Sequence, residues 1–380
     1  MIIACFANVR WSGLWQRYQQ IMSRLARHGH FIFYVEPPSF LDSTEPRSQR
    51  SASPPPNVTI VSPNLIPAYT LRPLEFLDGL LARKDLYESL RRHGLKSIDV
   101  LWLSSPVQVF AARSIRSRFL VYDCADYNEG YGESILFPKA FLRRRILGRE
   151  RNLLSKADIV FAGNQDLKTR GSRYNSNVQM LVNGVGREFL GEVDEIPPEM
   201  TDLPHPIIGY VGFLSDYFDF GMIERAARAR PHWSFVFVGP WSDSIGKKIE
   251  QLECLSNLHF AGKKPYDMIP AYIQSFDVTM IPFLRTEITH DMMPLKLFEY
   301  LCRGKPVVST RILERPEQLE DMVYFTDETD FVKTIEKALN ENSPIHVRAR
   351  VRWATRFTWD YQIERVESVL RSHHVGASTS

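Results

Sequence analysis

Two short apolar runs enclose a polar loop and a helical pattern in the first 35 residues of the chain. The runs at 2–7 and 31–35 are typical of buried strands. Between them, apolar residues recur at the spacing of one helix face: Tyr18, Ile21, Met22 and Leu25. A strand, a helix and a second strand in this order form a βαβ unit, which requires a parallel sheet. The sequence therefore predicts an α/β fold, in which ligands bind beyond the carboxyl ends of the strands.

A length of 380 residues exceeds what one typical hydrophobic core accommodates, and it indicates two domains. Residues 191–206 are acidic and rich in proline, which is typical of a linker between domains. A second α/β pattern begins at Pro206 and runs into Gly212, where the missing side chain lets the backbone approach a ligand. We therefore expect a first domain at 1–190 and a second at 206–356.

Four cysteines are scattered along the chain without a CxxC pair: Cys5, Cys124, Cys254 and Cys302. This spacing argues against a structural zinc site and a disulfide framework, and it favours a reducing, cytoplasmic environment. No apolar run approaches the ~18 residues of a membrane span, and the first residues are typical of a strand rather than of a signal sequence. No Asp-x-Asp pair occurs, so the sequence indicates neither a metal ion nor another cofactor.

The net charge of +3 is unevenly distributed. Residues 1–190 contain 26 Lys and Arg against 16 Asp and Glu, whereas residues 191–380 contain 21 against 28. The densest basic cluster, Arg143 to Arg145, lies in a helix predicted at 137–156, and a second basic helix is predicted at 71–97. This asymmetry indicates an anionic partner. Without a nucleic-acid motif, an anionic membrane surface that carries a lipid-linked substrate fits best, with a solvated helix face as the alternative.

Residues 290–310 are typical of a loop, a helix, a tight turn and a strand. Pro294 suits the start of the helix and Gly304 suits its end. Lys296 lies in the first turn, where the helix dipole disfavours a cation unless an anion is nearby, and helix N-termini bind phosphate. Glu299 follows one turn later, and its carboxylate can accept two hydrogen bonds from a ribose diol. The alternative is an amphipathic helix with surface charges.

This stretch resembles the donor-binding signature of GT-B glycosyltransferases, in which an acidic residue, seven intervening residues and a glutamate hold the donor sugar and the nucleotide ribose. The acidic pair here is Asp291 and Glu299. The run Pro-Leu-Lys-Leu-Phe-Glu-Tyr-Leu-x-x-Gly-Lys-Pro-Val-Val at 294–308 is especially similar to the bacterial exopolysaccharide and teichuronic acid branch, among the group 1-like glycosyl transferases. The resemblance covers nearly the whole chain and is most specific over 207–310.

The resemblance implies two Rossmann-like domains that face a cleft, with a C-terminal helix that crosses back so that 357–380 pack on the first domain. It implies a nucleotide-sugar donor, a lipid-linked saccharide acceptor and a role in cell-surface polysaccharide synthesis. It places the loop that contains Lys264 against the nucleobase. The residues implied to bind the donor are Gly212, Lys264, Asp291, Pro294, Leu295, Lys296 and Glu299.

One departure from the family pattern concerns the donor pyrophosphate. Many retaining relatives carry a basic pair after the strand that ends at Gly212, whereas residues 213–219 contain no Arg or Lys. Phosphate binding would then fall to Lys296, to the helix N-terminus and to Arg285, which leaves retention or inversion open. Two rival functions remain: a nucleotide-sugar epimerase of the same fold, and a non-catalytic sugar-binding protein.

The loop at 8–17 follows the first strand, so we expect it to lie where substrate binds. We predict that Trp11, Gly13 and Trp15 contact the acceptor, because indole rings stack on sugars or rest on lipid. The alternative is that the two tryptophans cap the hydrophobic core.

Two carboxylates, Asp123 and Asp126, follow a strand predicted at 119–122. Either can take a proton from an attacking hydroxyl if its geometry and pKa allow. The alternatives are a turn residue for Asp126 and a buried backbone cap for Asp123. A Tyr-Asp-x-x-Asp stretch recurs in the resembled branch, which points to Asp126 as the general base with Asp123 as its positioning partner.

Overall fold

The computed structural model describes residues 1–37, 54–63, 75–127, 139–193, 195–286, 289–290, 292–313 and 319–376. The chain folds as two compact units, one formed by Met1–Val182 with Ile363–Ser380 and the other by Asn183–Gln362. The chain thus returns to its first unit near its end, as the C-terminal helix of the resembled fold does.

The first unit is built on a seven-stranded parallel sheet. Its strands are β1 (Ile2–Phe6), β2 (Phe31–Val35), β3 (Val58–Val61), β4 (Ile98–Leu103), β5 (Ser117–Cys124), β6 (Ile159–Ala162) and β7 (Val178–Met180). They lie in the order β3-β2-β1-β4-β5-β6-β7. The helices are α1 (Arg17–Arg27), α2 (Glu75–Arg92), α3 (Val109–Ser114), α4 (Lys139–Lys156) and α5 (Gln165–Gly171).

The second unit is built on a six-stranded parallel sheet. Its strands are β8 (Ile207–Val211), β9 (Ser234–Val238), β10 (Leu258–Gly262), β11 (Val278–Ile281), β12 (Val307–Thr310) and β13 (Val323–Thr326), in the order β10-β9-β8-β11-β12-β13. The helices are α6 (Pro198–Thr201), α7 (Phe220–Ala229), α8 (Gly246–Leu252), α9 (Ile269–Ser275), α10 (Leu295–Cys302), α11 (Phe331–Asn340) and α12 (Pro344–Ala354), and α13 (Trp359–Gly376) begins in this unit.

Each sheet has one point at which the strand order reverses. In the first unit it lies between β1 and β4, and in the second between β8 and β11. In a doubly wound sheet this reversal opens a crevice at the carboxyl ends of the two strands, and ligands bind there. The loops that follow β1, β4, β8 and β11 are therefore the places to look for a site.

The central strands of the second sheet are buried on both faces. Every residue of β8, β9 and β11 is buried. Because helices cover both sides of a parallel sheet, such strands appear in the sequence as continuous apolar runs rather than as alternating ones. This burial gives the loops at the carboxyl edge a rigid base.

Local signals in the sequence account for several helix boundaries. Gly29 and Gly304 follow α1 and α10 with φ angles of 87° and 71°, a conformation that favours glycine. The Asn164 side chain caps α5 by accepting a hydrogen bond from the Leu167 N–H at 2.7 Å. The predicted linker behaves differently, because Pro198 suits a first helical turn and starts α6 within it.

Candidate functional site

Three glycines line the carboxyl edge of the second sheet. Gly212, Gly239 and Gly262 follow or end β8, β9 and β10 with φ angles of 138°, 145° and 67°. The Gly212 N–H donates to the Val238 carbonyl at 2.9 Å, and the Gly239 N–H donates to the Gly262 carbonyl at 2.8 Å. A Cβ atom on Gly239 would lie 2.0 Å from the Gly212 oxygen. The edge is therefore bare, tightly packed backbone that a ligand can approach.

Lys296 lies against this edge, in the first turn of α10. Its Nζ donates a hydrogen bond to the Tyr210 hydroxyl at 2.7 Å, and it lies 4.3 Å from the Tyr210 ring centroid and 4.6 Å from that of Phe283. A Cβ atom on Gly212 would lie 2.9 Å from Nζ. The protein packed around the half-buried ammonium removes water from it and lowers the pKa of Lys296 to about 7, while the charge of Glu299 opposes the shift.

Glu299 lies one turn further along α10 and is only 5% exposed. The Tyr266 hydroxyl donates to its Oε1 atom at 2.9 Å. Burial raises the pKa of Glu299 to about 7; the Tyr266 hydrogen bond lowers it, the charge of Glu188 raises it and Lys296 lowers it. A cation and a carboxylate on consecutive turns of one helix thus both titrate near neutrality.

Lys264, predicted to bind the donor, forms an ion pair in the second unit. Its Nζ lies 2.7 Å from Oε1 of Glu199 and 5.5 Å from the Tyr272 ring centroid. Hydrogen bonds from Lys264 and from the Tyr272 hydroxyl lower the pKa of Glu199 to about 2. Glu199 belongs to α6, so the segment predicted as a linker also contacts the loop that follows β10.

Two further predicted donor residues lie at the start of α10. Pro294 is the N-cap residue of this helix and Leu295 is its first residue. Asp291 lies outside the described residues. Arg285 is exposed on the loop after β11.

The predicted acceptor loop follows β1 at the reversal point of the first sheet. Trp11 is 5% exposed, and its ring makes edge contacts with Tyr34 and Trp15 at centroid distances of 5.0 and 5.4 Å. Its backbone N–H donates to Oε1 of Glu36 at 2.9 Å. Gly13 lies in a turn in which its N–H donates to the Arg10 carbonyl at 3.1 Å. Trp11 therefore caps the core, whereas Trp15 is half-buried and keeps surface that a ligand can contact.

Asp123 is fully buried in β5 and pairs with Arg17 at the start of α1. The Arg17 Nε donates to Oδ2 at 3.0 Å, and Nη2 donates to Oδ1 at 2.7 Å. Arg17 is itself only 6% exposed, so this is a buried bidentate ion pair. A carboxylate held in this way positions the chain around it and is poorly placed to exchange protons with a ligand.

Asp126 lies just beyond β5 and is exposed. Although the residue is exposed, protein close to the carboxyl group removes part of its water and raises its pKa; Arg17 opposes this shift and the charge of Asp123 adds to it. The next residue, Tyr127, is buried and its hydroxyl donates to Oδ2 of Asp166 at 2.9 Å. Of the two predicted carboxylates, Asp126 is the one exposed to solvent. The Arg17 guanidinium binds Asp123 and opposes the rise in the pKa of Asp126.

Several residues of these sites give no sign of their role in the sequence. Tyr210 appears as one apolar residue of a buried strand, and Arg17 appears as the first basic residue of an amphipathic helix. Tyr266 lies in the predicted nucleobase loop, but its contact with Glu299 joins positions 33 apart. The overlooked sign is chemical: a buried Lys, Glu or Asp requires a partner.

Among the residues that the structure describes, no helix has the length and apolarity needed to cross a membrane. No group of three or more His, Cys, Asp or Glu side chains in those residues is arranged to hold a metal ion.

A family model matches most of the second unit. Residues 199–356 match the family described as Glycosyl transferases group 1. A protein of Bacillus subtilis (strain 168) with the name "Putative teichuronic acid biosynthesis glycosyltransferase TuaH" is 28% identical to this chain over 237 residues. The match covers 59% of this chain and 59% of that protein, so the chain matches about three fifths of its relative's length. These similarities confirm the resemblance stated from residues 290–310.

Solved structures are similar over the whole chain. Sucrose-phosphate synthase (tll1590) from Thermosynechococcus elongatus superposes with a TM-score of 0.74 at 13% identity, covering 99% of this chain and 100% of that one. Anabaena Alr3699/HepE in complex with UDP-glucose superposes with a TM-score of 0.69 at 16% identity, covering 98% and 100%. At these identities the similarity concerns the fold. These neighbours are GT-B glycosyltransferases, so the predicted fold class, with two Rossmann-like domains, is confirmed.

Proposed function

We propose that this chain, whose residues 199–356 form a Glycosyl transferases group 1 domain, transfers a sugar from a nucleotide-sugar donor to a saccharide acceptor. The acceptor is lipid-linked and the product belongs to a cell-surface polysaccharide. The observation that carries the proposal is the placement of Lys296 and Glu299 on consecutive turns of α10, with the Lys296 ammonium against Gly212 in the glycine edge that follows β8, β9 and β10.

The chemistry of these two side chains matches the two polar parts of a nucleoside diphosphate. The N-terminus of α10 and the Lys296 ammonium attract the diphosphate, whose negative charge in turn favours the protonated amine. The Glu299 carboxylate accepts hydrogen bonds from the two ribose hydroxyls, and Tyr266 orients it from the opposite side. Lys264, Pro294, Leu295 and Asp291 complete the donor site in this proposal.

Relatives of the chain support the same class of donor and of product. Alr3699/HepE was crystallised with UDP, with UDP and glucose, and with UDP-glucose. The Bacillus subtilis relative carries teichuronic acid biosynthesis in its name. A hexose carried by a nucleoside diphosphate is therefore the donor we assign.

We assign acceptor binding to the first unit. Asp126 accepts the proton of the attacking hydroxyl, and the Arg17 pair with Asp123 holds the backbone that carries it. Gly13 and Trp15 line the acceptor site, with Trp11 beneath them. The basic face that includes Arg143 and Arg144 brings the protein to an anionic membrane, where a lipid-linked acceptor resides.

The test is a binding screen followed by an acceptor assay. Nucleotide sugars with uridine, guanosine or adenosine are added to the protein, and one of them should raise the melting temperature of the parent protein. Glu299→Ala should weaken binding of that donor by about 1.5–3 kcal/mol, because a charged hydrogen-bond acceptor is lost. Glu253→Ala, an exposed carboxylate on the same unit, is the matched control and should bind as the parent does.

Transfer of the donor sugar to membrane-extracted acceptor lipid completes the test. Conversion of the donor into an isomeric nucleotide sugar without any acceptor would show an epimerase instead. Absence of binding to every nucleotide sugar would contradict the proposal.

A further inference from the structure

The loop that follows β8 lacks the basic pair that many retaining relatives carry there. Residues 213–219 after β8 contain neither Arg nor Lys, so the ammonium next to Gly212 is that of Lys296. A lysine side chain has four flexible bonds, and it acts on phosphate as a point charge without the fixed geometry of arginine. A lysine that binds a diphosphate therefore benefits from being held in one orientation.

Tyr210 holds it. This side chain is fully buried in β8, and its hydroxyl donates to the Phe213 carbonyl at 2.8 Å. Because a phenol has one hydrogen, the hydroxyl lone pairs are directed to Nζ, which donates to them at 2.7 Å. The rings of Tyr210 and Phe283 lie on the ammonium at 4.3 and 4.6 Å, within the range of a cation–π interaction.

We propose that Tyr210 is a positioning residue for the transfer reaction, which orients the Lys296 ammonium so that its remaining two N–H groups bind the donor diphosphate. This inference rests on the proposed function. In this proposal Tyr210 does not touch the donor: it acts through Lys296, and its hydrogen bond to the Phe213 carbonyl fixes the hydroxyl that holds the ammonium.

The groups that face the Lys296 ammonium predict how diphosphate affinity depends on pH. Among the described residues these are Tyr210 on β8 and Glu299 on the next turn of α10, while Phe283 after β11 contributes an uncharged ring. Loss of the Tyr210 hydroxyl removes the oxygen that accepts from the ammonium, so Lys296 gives up its proton more readily. The loss of diphosphate affinity should therefore be larger at pH 8 than at pH 6.

The experiment compares Tyr210→Phe with Tyr217→Phe. The Tyr217 hydroxyl lies 3.5 Å from the same Phe213 carbonyl, so its removal is the matched control. Calorimetry with UDP, GDP and ADP identifies the diphosphate that the parent binds best, and the matching nucleoside serves as the second probe. Tyr210→Phe should weaken the diphosphate about tenfold or more and leave the nucleoside unchanged. Tyr217→Phe should change neither.

A double-mutant cycle with Lys296→Met separates orientation from general damage. In the Lys296→Met background, Tyr210→Phe should have no further effect on diphosphate affinity. Equal losses for nucleoside and diphosphate, a loss independent of pH, or an additive loss in the cycle would overturn the role of Tyr210. A parent protein that binds none of the three diphosphates would instead overturn the proposed function together with this inference.

Discussion

Lys296 and Glu299 have opposite charges, yet burial moves both pKa values to about 7. The lowered pKa of Lys296 makes the folded state gain stability as pH rises from 7 towards the pKa of an ordinary lysine. The raised pKa of Glu299 makes it lose stability as pH rises from that of an ordinary glutamate to 7. These two groups therefore disfavour the folded state most near pH 7.

The first prediction separates the two groups by ligand. In the proposed donor site, Glu299 faces the ribose of both a nucleoside and a nucleoside diphosphate, whereas Lys296 faces only the phosphates. The ratio of diphosphate to nucleoside affinity should fall as pH rises above 7, because Lys296 loses its proton. Calorimetry between pH 6 and 9 measures this ratio. Lys296→Ala supplies the baseline, and an identical pH dependence in that variant would contradict the role of Lys296.

The second prediction concerns Asp126, the exposed carboxylate of the first unit. Asp126→Asn keeps the shape and removes the basicity, so sugar transfer should fall by about 10²–10⁴-fold while donor binding survives. Because the pKa of Asp126 is raised, acidification should remove its basicity at a higher pH than for an ordinary aspartate.

Asp123→Asn is the comparison for that prediction. It should lower the melting temperature, because it leaves Arg17 buried without its partner, at a cost of about 3–5 kcal/mol. Normal turnover in Asp126→Asn would show that the base lies elsewhere, or that the leaving phosphate accepts the proton.

At the scale of elements, the carboxyl edge of the second sheet depends on glycines that carry no side chain. Gly212 has a φ angle of 138°, and its Cα faces the Lys296 ammonium. Gly212→Ala should destabilise the protein by about 1–3 kcal/mol through backbone strain and should weaken diphosphate binding more than nucleoside binding. Gly246→Ala, where a Cβ atom meets nothing within 4 Å, is the matched control for thermal unfolding. Equal behaviour of the two variants would contradict this account.

The helix boundaries could be predicted from the sequence, whereas the contacts between distant elements could not. The start and end of α10 follow from Pro294 and Gly304, since local backbone chemistry determines them. By contrast, the contact of Lys296 with Tyr210 joins positions 86 apart, and only the order of strands in the sheet brings them together. Composition did not reveal the short helix α6, because prolines and acidic residues that are typical of a linker also suit a first helical turn.

At the scale of the whole molecule, the charge is divided between the halves of the chain, with excess Lys and Arg in residues 1–190 and excess Asp and Glu in residues 191–380. The exposed side chains of Arg143 and Arg144 belong to the basic half. The protein should bind vesicles that contain phosphatidylglycerol and should release them as salt rises, since exposed charges are screened beyond ~8 Å at physiological ionic strength.

The control for that prediction is a pair of charge reversals. Arg143→Glu with Arg144→Glu should weaken co-sedimentation with the vesicles, whereas Lys247→Glu with Lys333→Glu, two exposed positions of the second unit, should affect it less. Equal losses in both pairs would show a response to net charge alone. Failure of the parent to bind at low salt would assign the basic residues another purpose.

The buried ion pair between Arg17 and Asp123 also limits which substitutions the chain can accept during evolution. Two residues 106 positions apart form one buried ion pair, and either charge is costly without the other. A substitution at one position is therefore tolerated only in company with a substitution at the other, or with an apolar pair of matching volume. We expect the two positions to be inherited as a single trait: descendants of this sequence keep both charges or replace both.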